Sequence, residues 1–240
     1  MSKKRSRLTT AIWATLLLAA GFALWHFLPD SIRHAVEPVA LAATFTVNTA
    51  DDHNDGVCNA ADCTLREAIN AANEGDTISF NIPGSGVRTI NATTGFSITH
   101  AVTIGGASQP GFAGAPLIEI NGAGAGAVNG LSVNAPNVTI KSLIINRFSG
   151  YGINFESFGN NTVQGCYIGT NATGMAASAN VAGGIRINAA GIVVGGATTG
   201  AGNVISGNKG NGIDVFVGSL LAARQFKAIS SARTRPAPAI

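Results

Sequence analysis

Few side chains in this 240-residue chain are of a type to do acid–base or nucleophilic chemistry, and they stand apart. Away from the two ends the charged candidates are Glu119, Lys141, Arg147, Glu156, Arg186 and Asp214. Cleaving a glycosidic bond needs two carboxylates, or a carboxylate with a basic partner, on one surface. No pair among these recurs at a spacing that would stack both on one face. His26, His34, His53 and His100 form no cluster, and no Ser-His-Asp arrangement emerges. The sequence therefore nominates no catalytic residue and reads as a non-enzyme before it reads as an enzyme.

Residue types that bind metal gather near the start. Asp52, Asn54 and Asp55 precede Gly56 and look like half of a calcium loop, which needs several oxygen ligands around one turn. No downstream Glu completes the pattern, and Asp and Asn also populate ordinary turns. Calcium is the one cofactor suggested. Cys58 and Cys63 stand close in a loop, where a small disulfide can form, whereas Cys166 lies in an apolar repeat and reads as a buried thiol. Two cysteines without a second ligand pair do not complete a zinc tetrahedron.

The elements around these residues are short. Thr44-Phe45-Thr46-Val47 alternates as a strand does. Leu65, Ala68, Ile69 and Ala72 fall at helical spacing, with Thr64 or Cys63 to open the helix, Glu67 in its first turn facing the dipole favourably, and Gly75 as its C-terminal stop. From Asp76 onward short β-type runs are split by Gly, Asn and Thr, as in Thr77–Phe80, Val102–Ile104, Leu117–Ile120, Val138–Ile140 and Leu143–Ile145. The segments Gly152-Ile153-Asn154-Phe155, Gly184-Ile185-Arg186-Ile187 and Gly212-Ile213-Asp214-Val215 share a Gly-Ile-polar-apolar core. Their third residue behaves as a variable, solvent-facing position. Short, evenly punctuated runs exclude long helices and predict a repetitive β architecture, in which inward Ile, Val and Phe stack and Asn side chains form amide ladders. A propeller or sandwich is the alternative, and the irregular repeat spacing with Asn-Gly corners favours the solenoid.

Composition agrees. Thirty-one glycines without a three-residue period exclude collagen, and 11% charged residues with 46% hydrophobic ones argue against disorder. The formal charge of +3 is misleading, because Lys3, Lys4, Arg5, Arg7 and Arg33 lie in a leader and Arg224, Lys227, Arg233 and Arg235 in the last segment. Between them acidic residues outnumber basic ones, so nucleic acid is not an expected partner. Lys3–Arg7, the apolar run Ala11–Leu28 and Ala40-Leu41-Ala42-Ala43 make a secretory leader with its best cleavage point at Ala42/Ala43. The run is also near bilayer-spanning length, so residues 1–42 are either a signal peptide or a membrane anchor. Either way the remainder is exported, secreted or held at the cell surface.

The segment Val47–Gly75, with its paired cysteines, Leu65-Arg66-Glu67-Ala68 and Asn70-Ala71-Ala72-Asn73, resembles the opening module of bacterial extracellular β-helix proteins named after a Cys-Ser-Leu-Arg-Glu-Ala core. Thr64 stands where serine is usual. The resemblance continues to about Phe216 through Ile168-Gly169-Thr170-Asn171-Ala172-Thr173-Gly174 and Asn203-Val204-Ile205-Ser206-Gly207-Asn208. It implies that the module precedes the first coil. An open β-helix end carries unpaired backbone groups, and a short helix can cover them. Leu65, Arg66, Glu67, Ala68 and Ile69 are accordingly expected to form a structural cap.

After Gly218 the repeats stop, and Ser219–Ile240 lacks the amphipathic pattern of a closing cap. Reading each codon of Gln225–Ile240 from the third base of the one before permits Val-Gln-Gly-Asn-Phe-Ile-Gly-Thr-Asp-Ala-Thr-Gly-Thr-Gly-Asn. That nearly repeats Val163–Gly174. A single-base shift near Gly218–Ala223 would explain it, and sequencing the coding DNA there decides the matter.

The expectation is an all-β chain: a right-handed parallel β-helix, a pectate-lyase-like solenoid, with a short N-terminal capping helix. Residues 1–42 form the leader, 43–76 the cap, 77–218 the coils and 219–240 an out-of-frame, disordered tail. The expected role is structural, adhesive or carbohydrate-binding, in a fragment of a longer exported protein with extracellular polysaccharide or a surface ligand as partner and the membrane touched only by the N-terminal segment. The alternative is a polysaccharide lyase or glycoside hydrolase of the β-helix type.

Overall fold

Alternating apolar residues in short runs have one way to leave water here: each run lies beside the equivalent run of the next repeat. The structure, a computed structural model, describes residues 41–216. The expected tail and nearly all of the expected leader lie outside that span. No helix among the described residues is long and apolar enough to cross a membrane.

The elements are β1 (Thr44–Val47), α1 (Leu65–Ala71), β2 (Thr77–Phe80), β3 (Arg88–Asn91), β4 (Phe96–Ile98), β5 (Thr103–Gly105), β6 (Ile118–Asn121), β7 (Leu131–Val133), β8 (Thr139–Lys141), β9 (Leu143–Asn146), β10 (Tyr151–Phe155), β11 (Thr162–Gln164), β12 (Tyr167–Ile168), β13 (Gly183–Ile187), β14 (Val193–Val194), β15 (Val204–Ile205) and β16 (Asn211–Val215). From β2 the chain visits three sheets in rotation. The first sheet runs β1-β2-β5-β8-β11-β14, the second β3-β6-β9-β12-β15 and the third β4-β7-β10-β13-β16. Neighbouring strands within each are parallel. The protein is thus all-β, with three sheets of stacked parallel strands and no closed barrel, an arrangement compatible with a parallel β-helix.

Register turns the pattern into a core. Ile78, Ile104, Ile140, Val163 and Val194 lie in line on the first sheet. Ile90, Ile120, Ile145, Ile168 and Ile205 do so on the second. On the third, Phe96, Leu131, Ile153, Ile185 and Ile213 form one column, and Ile98, Val133, Phe155, Ile187 and Val215 another. The first two columns are buried throughout. Burying each Ile or Leu is worth about 1.5–3 kcal/mol, but only once a neighbouring coil covers it.

Asparagine does the work of turning corners. Buried Asn161 accepts from the Val138 N–H and donates to the Phe158 carbonyl, and buried Asn203 accepts from the Cys166 N–H and donates to the Val163 carbonyl. Amide ladders join Asn121 to Asn91 at 2.9 Å and Asn180 to Asn208 at 3.0 Å. Cys166 is a free, buried thiol whose pKa is pushed up to about 12 by burial, so it is an inert filler of the core.

One boundary differs from expectation. The helix stops at Ala71, with Ala72 already extended, and Gly75 is not its cap. The Asp76 carboxylate accepts from the N–H groups of Asn73 and Ala43, pulling the chain out of the helix and into β2. Gly75 adopts φ 88° in the turn that follows.

Candidate functional site

Two places concentrate polar side chains: the cap at the start of the stack and the outward face of the third sheet. In the cap, Thr64 is the N-cap of α1, its hydroxyl accepting from the Glu67 N–H while the Glu67 carboxylate accepts from the Thr64 N–H. Glu67 also accepts from the Asp55 N–H at 2.8 Å, tying the preceding loop to the helix. Burial alone would raise its pKa, but these backbone and side-chain hydrogen bonds from Thr64 and Asp55 outweigh burial and lower it. Leu65, Ala68 and Ile69 are buried, and α1 packs against β1 and β4, the first strands of their sheets. Arg66 donates to the carbonyls of Thr94 and Gly95 just before β4, stacks on Phe96 with 4.4 Å to the ring centroid, and pairs with Asp52. It therefore satisfies backbone groups at an open end of the stack.

Cys58 and Cys63 are joined by a disulfide. The calcium candidates are divided: Asp52 faces inward and receives Arg66 and both the N–H and hydroxyl of Thr93, while Asn54 and Asp55 are exposed. With its acceptors filled by fixed donors, Asp52 serves as an anchor for the loop. The ligand atoms that do converge belong to His53, Asp55 and Glu67, within 4.8 Å of one another. His53 spends Nε2 on Asp62 at 2.8 Å, and that hydrogen bond, ahead of the smaller opposing effect of desolvation, raises its pKa.

On the third sheet the outward column between the two apolar ones is Ser97, Ser132, Asn154, Arg186 and Asp214, in register. The variable third residue of the Gly-Ile-polar-apolar repeat is thus a single line of side chains, but it is not uniformly solvent-facing as expected: Asn154 is buried between Glu156 and Asn188, and Arg186 and Asp214 are half-buried. Asn154 donates to Glu156 and accepts from Asn188. Asp214 accepts from the Tyr151 hydroxyl at 2.9 Å and from the Asn211 amide. Burial, and then Asp214, raises the Tyr151 pKa, so the phenol stays protonated as donor. Arg186 lies 4.8 Å from the Phe216 ring centroid and 5.8 Å from that of Tyr151.

The other charged residues are placed elsewhere. Glu119 accepts from Thr89, Asn146 and Arg147 on the second sheet, a ladder contact between coils. Lys141 is exposed at the end of β8. The sequence ranked Asp214 and Arg186 as single scattered charges and overlooked Tyr151 and Phe216 beside them. The one available signal was the shared repeat core, which places residues 154, 186 and 214 in one column.

No known protein-family model matches this chain, and no curated protein matches it.

Proposed function

We propose that this is an exported right-handed parallel β-helix with a Cys-Ser-Leu-Arg-Glu-Ala-type cap, serving at the cell surface or in secreted form as an adhesive or carbohydrate-binding protein. Three sheets visited in rotation describe a coil, and parallel crossovers are right-handed in nearly all proteins. The helix, disulfide and Arg66 contacts at the first coil support the cap reading, since they cover what a solenoid leaves open.

The observation that carries the functional reading is the outward column of the third sheet. Its half-buried end sets the Arg186 guanidinium and the Asp214 carboxylate side by side, with the Tyr151 and Phe216 rings against the guanidinium, a mixture of polar groups and ring faces that suits sugars. Its carboxylates are held by neutral donors, Asp214 by Tyr151 and Asn211, and Glu156 by Asn154, rather than standing free as an acid and base pair.

Affinity electrophoresis of the full chain through gels containing plant and bacterial polysaccharides tests this reading. Retardation without release of reducing or unsaturated ends supports it. Release of such ends, abolished by Glu119→Gln or Asp214→Asn, would replace it with the lyase or hydrolase reading.

A further inference from the structure

Arg186 holds five N–H donors and, among the described residues, no acceptor. No hydrogen bond or ion pair reaches its guanidinium, and its Nε is buried without a partner. The register makes this unusual, because Asp214 sits directly beside it on β16. Asp214 instead turns both oxygens to Tyr151 and Asn211. On the other flank, Asn154 is committed to Glu156 and Asn188. A charged group in a half-buried position normally takes the nearest carboxylate, and here the neighbours are arranged so that none is offered.

What holds Arg186 is aromatic. The rings of Phe216 and Tyr151 attract the cation through their faces and leave its N–H edge unused. With Nε buried, an arginine fixed this way can offer its Nη1–Nη2 end as a planar fork that matches a carboxylate, and little side-chain freedom remains to be lost on binding. We propose that Arg186 is the carboxylate-binding centre of a uronate subsite on the outward face of the third sheet, which would make the ligand an acidic polysaccharide. The inference rests on the carbohydrate-binding reading above and narrows it. Phe216, 57% exposed, offers an apolar face for a sugar ring beside the guanidinium. Farther along the same column, beyond the buried Asn154, the half-buried Ser132 and exposed Ser97 offer hydroxyls to a polymer lying across the strands. Asp214 contributes by holding Tyr151 and repels an incoming anion, so Asp214→Asn is expected to tighten binding.

The test measures dissociation constants of the full chain for alginate, fully esterified alginate, dextran and polyglutamate, with a chelator present. The native chain is expected to bind alginate at least ten-fold more tightly than its ester. Arg186→Gln should lose that margin while keeping the native melting temperature, Arg186→Lys should retain part of it, and Asp214→Asn should increase it. The esterified ligand needs no variant, so a folding defect in Arg186→Gln cannot mask the answer. Equal binding of alginate and its ester, or full alginate binding by a folded Arg186→Gln, overturns the uronate subsite. Dextran bound as well as alginate in that case leaves the carbohydrate-binding reading standing, whereas no polysaccharide bound at all removes both. Arg186-dependent binding of polyglutamate without alginate would replace the sugar by an acidic peptide.

Discussion

The guanidinium of Arg66 holds the carboxylate of Asp52 at two points, Nε 3.0 Å from Oδ1 and Nη2 2.7 Å from Oδ2, across the mouth of the first coil. The pair is nearly enclosed, with side-chain exposure of 16% for Arg66 and 1% for Asp52. Its geometry matters more than its charge, since the same guanidinium reaches the Thr94 and Gly95 carbonyls. One side chain thereby fastens the loop before α1 to the strand edge that α1 covers.

Replacing Arg66 by Leu leaves Asp52 buried with only Thr93 to answer it. The expected loss is about 3 kcal/mol in urea unfolding, the range for breaking a buried pair from one side. Asp52→Asn can keep one oxygen for Thr93 and the Arg66 Nη2, but it sets an NH2 donor against the Arg66 Nε–H, so one contact is lost together with the charge. Arg66→Lys keeps the charge without the fork and should lose nearly as much as Arg66→Leu; a native-like Arg66→Lys would show that charge, not the two-point geometry, carries the contact.

Glu67 makes the cap sensitive to acid. Its folded-state pKa lies below the ordinary value of 4.5, because the hydrogen bonds from Thr64 and Asp55 favour the charged form over the opposing effect of burial. A depressed pKa contributes stability that is present above 4.5 and lost as pH falls through the folded value. Stability measured from pH 6 down to pH 3 should decline in the native chain, and Glu67→Gln should flatten that part of the decline. An unchanged slope in Glu67→Gln would assign the acid sensitivity elsewhere.

Adjacent glycines at the end of β5 should behave oppositely. A methyl group on Gly105 meets nothing within 4 Å, whereas one on Gly106 would lie 2.1 Å from the Ser142 carbonyl oxygen and 2.9 Å from Leu143 in the next coil. Gly105→Ala is expected within about 0.5 kcal/mol of the native chain, and Gly106→Ala to lose about 1–3 kcal/mol through overpacking. Thermal or urea unfolding of both reads the contrast, which depends on the coil spacing at that corner.

Much of this arrangement was legible because it is written in repeats. The three Gly-Ile-polar-apolar segments predicted a common position, and Asn154, Arg186 and Asp214 occupy it in register. The cap helix was legible from Leu65, Ala68 and Ile69, whose spacing is a local property. Its end was not, because Asp76 reaches back to Ala43, a contact between residues far apart in sequence. The same reason hid the anchoring role of Asp52: its side chain resembles a calcium ligand until Arg66 and Thr93 are placed around it. Nor could spacing alone show that Arg186 lies between Tyr151 and Phe216 without an acceptor, since that requires knowing where Asp214 turns instead.

The outward face of the third sheet exists only if its strands stack in the stated register. Ser97 and Ser132 are partners at the start of that column, which places their Cα atoms within reach of a disulfide, whereas Ser97 and Asn134 are two residues out of step and about 8 Å apart. Mild oxidation of a Ser97→Cys/Ser132→Cys variant, followed by mass spectrometry of the digested protein, should therefore give an intramolecular cross-link in high yield. A Ser97→Cys/Asn134→Cys variant should give little. Cross-linking of the second pair and not the first would contradict the register, and with it the alignment of Asn154, Arg186 and Asp214.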